Sequence, residues 1–192
     1  MVAKTAHVLL VDGYADWEAA SALAELRRSF GFSVNTIGLT SGTIVSMGGL
    51  KVTPDSPLSH FVAESAAILI LPGGDFWMKG EVAEVSVAVK AMVASNRPVA
   101  AICAATLALA HAGLLDDRPH TSNGKGFIAK HVRKYRGEKF YRSSPAVSDG
   151  LVITANGVAP FPFAAEIFRV LAPERKQDIE TYEGLYRRGM LD

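Results

Sequence analysis

The chain has 192 residues, 49% of them hydrophobic, with 20 Lys and Arg against 19 Asp and Glu. That length suits one α/β domain over residues 1–192, and that hydrophobic content excludes a disordered tail. A net charge of +1 gives no overall footprint for nucleic acid or an anionic membrane, and a single cysteine excludes an intrachain disulfide and points to a reducing, cytoplasmic setting.

The first apolar run, residues 7–11, ends at Asp12-Gly13. It does not alternate, so it predicts a buried parallel strand; it is too short for a signal-peptide core or a membrane span. Residues 16–30 place Trp17, Ala20, Leu23, Leu26 and Phe30 at helical spacing, with Arg27 and Arg28 in the last turn and Gly31 beyond it, which are helix-stop signals. Residues 32–38 predict a second strand, and residues 43–54 short strands around the Gly48-Gly49 turn.

Residues 66–71 predict another buried strand, ended by Pro72-Gly73-Gly74. A helix over 81–95, a strand over 98–102 and a helix from Cys103 to Ala112 follow, the last ended by Gly113. Residues 124–142 are basic and mixed, and predict a helix followed by a loop. Residues 145–154 predict a short hairpin, 160–171 a helix and 174–188 a final amphipathic helix. Strands alternate with helices, so the sheet is expected to be mainly parallel and covered on both faces. Ligand sites in such sheets lie at the carboxyl ends of the strands. The segments that end there are Asp12–Glu18, Leu71–Gly74 and Ile102–Thr106.

Cys103 follows a strand of small and branched residues and precedes Ala104, Ala105 and Thr106. A tight strand-to-helix elbow needs small neighbours, and it presents its nucleophile at a helix N-terminus, where the dipole favours thiolate. The residues alone leave this reading open against that of a small buried hydrophobe. Gly73-Gly74 is either a plain loop or a backbone that turns N–H groups toward a ligand, Gly74 then pairing with Ala104 as an oxyanion hole. Glu18, in a helical first turn, is either a dipole-stabilising surface residue or a carboxyl aimed at the cysteine, where burial and like charge would raise its pKa.

The strings VLLVDGYADWE, ILILPGG and VAAICAATLALAHAGLL, in this order and spacing, resemble the ThiJ/PfpI family. That family includes a Parkinson-disease-associated deglycase, and intracellular protease- and amidase-like proteins. The similarity runs to GLVITANGVAPFPFAAEIFRVL. It implies a flavodoxin-like three-layer α/β/α sandwich and a homodimer; no cofactor or metal is expected. It also implies a nucleophilic Cys103, a protonated Glu18 hydrogen-bonded to it and an oxyanion hole near Gly74 and Ala104.

This sequence departs from the family pattern in informative places. Many active members carry a histidine after the elbow helix, where Asn123 stands here; an amide can hydrogen-bond but cannot shuttle a proton. The protease-like branch has histidine directly after its cysteine, where Ala104 stands here, and the late His-x-Glu of glutaminase relatives is missing. His120 is the one candidate substitute base, whereas His7, His60, His111 and His131 read as structural or surface residues without metal spacing. The cluster Lys125, Lys130, Arg133, Lys134 and Arg136 reads as a solvated face. Two functions are expected from this set. One is a cysteine-dependent enzyme acting on small reactive aldehydes or on acyl and amide compounds. The alternative is a redox or stress-response protein with an oxidisable Cys103.

Overall fold

The computed structural model describes residues 4–80 and 82–189. In chain order its strands are β1 (Thr5–Leu10), β2 (Ser33–Gly38), β3 (Ile44–Val45), β4 (Lys51–Val52), β5 (Ser56–Pro57), β6 (Ile68–Leu71), β7 (Val99–Ile102), β8 (Ala146–Asp149) and β9 (Val152–Ala155). Its α-helices are α1 (Asp16–Arg28), α2 (Ala83–Ala94), α3 (Thr106–His111), α4 (Phe127–His131), α5 (Pro160–Leu171) and α6 (Lys176–Arg188). Among the described residues, no helix is long and apolar enough to cross a membrane.

Seven strands form one sheet in the order β5-β2-β1-β6-β7-β9-β8, parallel except that β8 runs antiparallel to β9. Helices cover both faces, giving the expected flavodoxin-like sandwich. Successive side chains of a strand point to opposite faces, and in β1, β6, β7 and β9 both faces are buried, which is why these four read as unbroken apolar runs. On one face Leu69, Leu71, Val99 and Ala101 pack with Val85, Val89 and Met92 of α2 and Leu107 of α3. On the other face Ile68, Ile70, Ala100 and Ile102 pack with Ala22 and Leu26 of α1 and Phe163, Ile167 and Phe168 of α5. Registers such as Leu71 opposite Ala101 and Ile102 opposite Ala155 bring the loops after β6, β7 and β9 to one rim of the sheet.

Two elements differ from their sequence expectation in ways that shape the site. The helix after β7 does not start as an α-helix: Cys103–Ala105 is a 3-10 turn, and only Thr106–His111 is α-helical. The basic stretch is a short helix, α4, followed by a largely irregular segment, as its sequence leads one to expect. The apolar stripe of α1 is rotated by about one residue, roughly 100°. Glu18, Ala19, Ala22, Glu25 and Leu26 are buried, while Trp17 is 53% exposed. Two acidic residues lie within the sheet-facing stripe, and a tryptophan lies outside it. The expected start of the second helix, Glu81, lies outside the described residues.

Candidate functional site

The elbow at the end of β7 is built by Cys103 itself. Its φ is +60°, a left-handed conformation that costs a non-glycine residue free energy and persists only where neighbours hold it. Those neighbours are hydroxyls. Thr106 Oγ1 donates to the Cys103 carbonyl at 2.7 Å and lies 2.6 Å from Ser122 Oγ. The small residues Ala104 and Ala105 are buried directly beneath. The strain and the packing together present the half-buried Cys103 side chain at the rim where the parallel strands end.

Glu18 reaches the same point from α1. Its side chain is 1% exposed, so the solvated-surface reading of this position does not hold. The Gly73 N–H donates to Glu18 Oε2 at 2.6 Å, and the carboxyl also hydrogen-bonds Cys103. Burial raises the Glu18 pKa above the ordinary carboxylate value, against the pull of the Cys103 and Gly73 hydrogen bonds. Burial also pushes the Cys103 thiol up to about 11; donors from Asn123 and Ala104 oppose this, and the charge and hydrogen bond of Glu18 add to it. The expectation of a thiol lowered by a helix dipole is therefore corrected: the adjoining element is a single 3-10 turn, and desolvation outweighs its field. Two buried acids within hydrogen-bond reach titrate as a pair, and the first proton lost belongs to the pair.

Asn123 completes the cluster. Its Nδ2 donates to Cys103 Sγ at 3.1 Å, while its Oδ1 accepts from the Gly157 N–H at 2.9 Å. The Gly157 donor fixes which end of the amide faces sulfur, so Asn123 presents a hydrogen-bond donor to the thiol and no basic atom. This is the reach expected from its place in the sequence.

Two glycines make room for these contacts. A Cβ on Gly73 would lie 2.6 Å from both Cys103 Cβ and Glu18 Oε2. A Cβ on Gly157 would lie 2.7 Å from Cys103 Sγ and 3.2 Å from Glu18 Oε1. The sulfur and carboxyl are thus clamped between two backbone segments that have no side chains. Sequence reasoning missed Gly157. Its signal is the Asn156-Gly157 turn directly after the buried strand β9, at the same rim as the elbow.

The other expected site residues are placed differently. Gly74 lies against the preceding loop, where a Cβ would be 2.7 Å from the Gly13 carbonyl oxygen. The Ala104 N–H is directed at the Cys103 sulfur. Neither Gly74 nor Ala104 lines the crevice beside Cys103, so the pair expected as an oxyanion hole does not face it together. His120 is fully buried. Its Nδ1 lies 2.8 Å from the Arg118 carbonyl, which accepts its proton, and its Nε2 lies 2.7 Å from the Tyr135 hydroxyl. With both ring nitrogens engaged away from Cys103, and burial lowering its pKa, His120 is structural and not a substitute base.

The crevice is open and measures about 700 Å³; Trp17, Glu18, Cys103, Asn123, Tyr141 and Val158 are among its lining residues. Ser122, Ser143, Ser144 and Asn156 add a polar wall. A separate cavity of about 580 Å³ between the end of α1 and α6 contains neither thiol nor imidazole. Among the described residues no group of three or more His, Cys, Asp or Glu side chains could hold a metal ion.

Comparison with known proteins agrees with this arrangement of strands and helices. The DJ-1/PfpI family model matches residues 4–170. A Bacillus subtilis (strain 168) protein named uncharacterized protease YoaZ is 34% identical over 184 residues, covering 91% of this chain and 88% of its own. The crystal structure of DJ-1 superfamily protein Atu0886 from Agrobacterium tumefaciens superposes with a TM-score of 0.85 at 37% identity, covering 95% of this chain and 99% of that one. A thiJ/pfpI family protein from Bacillus anthracis gives 0.89 at 33% identity, covering 97% and 92%.

Gly157→Ala tests the clamp. Its backbone is compatible with alanine, since its φ is not among the positive ones, so the fold is expected to persist while the sulfur and Asn123 are displaced. The rate constant for alkylation of Cys103 should fall by about tenfold or more, as small displacements of reacting atoms do. An unchanged rate would mean that the Asn156–Val158 loop yields and the clamp is not rigid.

Proposed function

Because this chain belongs to the DJ-1/PfpI family, we propose that it is a cysteine-dependent enzyme. Its substrates are small reactive aldehydes, or acyl and amide compounds, and Cys103 is the nucleophile. The observation that carries this reading is the contact of a strained, crevice-facing thiol with a buried carboxyl of raised pKa. An isolated buried thiol is a poor nucleophile. A thiol that passes its proton to Glu18 becomes a thiolate without the pair gaining charge. In that state the Glu18 charge that opposes ionisation is gone, the new carboxylic acid donates to sulfur, and the Asn123 and Ala104 N–H groups stabilise the thiolate.

On a carbonyl substrate the sulfur then bonds to the carbonyl carbon, and the π pair moves to oxygen. Glu18 returns its proton to that oxygen, giving a neutral hemithioacetal and restoring the carboxylate. Asn123 Nδ2, which lines the crevice beside the sulfur, is the donor for the developing oxyanion. On an amide the same addition is followed by loss of the amine and hydrolysis of the thioester. The protease-named relative supports keeping this second substrate class.

A second reading is favoured by the Asn123 donor on sulfur. Without an imidazole, the site suits oxidation of Cys103 by a peroxide. The thiolate takes one peroxide oxygen, the O–O bond breaks, and the departing hydroxide takes the Glu18 proton and leaves as water, with a sulfenic acid on Cys103 and a carboxylate on Glu18. A homodimer is also proposed. Trp17, Met47 and Leu50 leave large apolar side chains exposed on α1 and on the β3-β4 turn, which is tied to the α1 entry by Gly48 N donating to Asp16 Oδ2. Sedimentation equilibrium at micromolar protein should return twice the chain mass, and monomer alone would contradict it.

Glu18→Gln tests proton sharing. In the native protein the iodoacetamide rate at Cys103 should rise at the first ionisation of the pair, below the ~8.5 of a free thiol. Glutamine cannot accept the proton, so the midpoint should move up. A midpoint that moves down would show that Glu18 stays ionised and suppresses the thiolate. Asn123→His tests turnover: methylglyoxal consumption should be weak in the native protein and rise by about a hundredfold, the lower end of what a positioned base supplies. Rapid native turnover, unaltered by histidine, would show that Glu18 alone suffices.

A further inference from the structure

The net charge of +1 hides a strong asymmetry. Residues 125–142 contain seven of the chain's 20 Lys and Arg but only one, Glu138, of its 19 Asp and Glu. That segment carries +6 and the remainder of the chain −5. All seven basic residues (Lys125, Lys130, Arg133, Lys134, Arg136, Lys139 and Arg142) are exposed.

The fold places the two ends of this segment at the crevice, with none of the seven basic side chains among its lining residues. Both ends of the segment are crevice walls: Asn123 and Gly124 line it on one side, Tyr141, Ser143 and Ser144 on the other. The ends are pinned together, with His120 bridged to Tyr141 and the Arg142 N–H donating to the His120 carbonyl at 2.8 Å. Lys125 follows one lining residue directly, and Arg142 lies between two others. The acidic groups of this region do not cancel the charge. With the neighbouring Asp116, which accepts the Arg136 backbone N–H, and the Asp117–Arg118 pair included, residues 116–142 still carry +5. Among the described residues that line the crevice, the one carboxyl is the buried Glu18.

Lys125 and Arg142, the two ends of the cluster, each adjoin walls of the crevice that holds Cys103. We propose that this basic rim recruits anionic electrophiles to Cys103, so that the preferred substrates are small carbonyl or acyl compounds that carry a carboxylate or phosphate. The inference rests on the reading of Cys103 as a nucleophile. Rim charges act over a Debye length, about 10 Å at 0.1 M salt, and fields of this kind raise encounter rates by about 10- to 1,000-fold. The polar wall of Ser122, Ser143, Ser144 and Asn156 supplies hydrogen-bonding groups suited to such a ligand.

Iodoacetate and iodoacetamide form a matched pair of probes, one anionic and one neutral. With each, the Cys103 sulfur bonds to the methylene carbon as iodide leaves with the carbon–iodine electron pair. Rate constants are measured by mass spectrometry on the full chain, on Lys125→Glu/Arg142→Glu, and on Lys90→Glu/Arg187→Glu, which makes the same charge change elsewhere. The iodoacetate-to-iodoacetamide ratio should fall by about fivefold or more in the rim variant, and in the native protein as salt rises to about 1 M. It should hold in the distant variant. A rim-variant ratio within about twofold of native, or an equal fall in the distant variant, overturns recruitment while leaving the nucleophile reading intact. Labelling by neither reagent overturns both.

Discussion

The burial of one carboxyl against one thiol organises this molecule's functional end. Glu18 comes from the sheet-facing side of α1 and Cys103 from the end of β7, and a carboxyl buried to this degree is costly without hydrogen-bond partners. The Gly73 N–H satisfies the carboxylate, and the Ala15 N–H donates to the Gly73 carbonyl at 3.0 Å. The entry of α1 is thereby fastened to the loop after β6. Gly157 closes the other side and holds Asn123 on the sulfur. Four loops at one rim of a parallel sheet are fixed by contacts around two side chains.

The electrostatics follow from that packing. Desolvation raises both acids, which disfavours a state with two charges far more than a state with one. A shared proton is the economical state, and its position is set by donors. Sulfur has Asn123 and Ala104, and the carboxyl has Gly73. Substituting an amide for an imidazole at Asn123 leaves the thiolate with a donor and removes a second base. Proton movement during chemistry then falls to Glu18. The basic segment at 125–142 lies outside this inner shell, at longer range, and contributes through its field instead of through contact.

Much of this was legible in the chain. Unbroken apolar runs ended by Asp12-Gly13, Pro72-Gly73-Gly74 and Cys103-Ala104 mark parallel strands and locate their carboxyl ends. The helix over 160–171 and the hairpin before it follow from simple periodicity. The phase of α1 did not. Trp17, Leu23 and Leu26 suggest one apolar face, but the buried face includes Glu18 and Glu25, and hydropathy cannot foresee buried acids that have partners elsewhere in the fold. The Cys103 thiol was misjudged for a related reason. A helix N-terminus can be read from sequence, whereas the desolvation that opposes its dipole depends on what packs above it. Gly157 was invisible because its importance is a missing side chain 54 positions from Cys103. His120 shows the reverse. Its proximity in sequence to Asn123 suggested a base, but Tyr135 and the Arg118 carbonyl turn the ring into the core.

The central claim is that Cys103 and Glu18 share one proton near neutral pH. Thiolate ultraviolet absorbance, taken as the difference between the native protein and Cys103→Ser across about pH 4 to pH 11, reads that proton directly. Sharing predicts a partial rise at the first ionisation of the pair, well below the range of a free thiol, and a second rise at high pH as the remaining proton leaves. A single rise near pH 11, where burial places the thiol beside an ionised Glu18, would contradict the account.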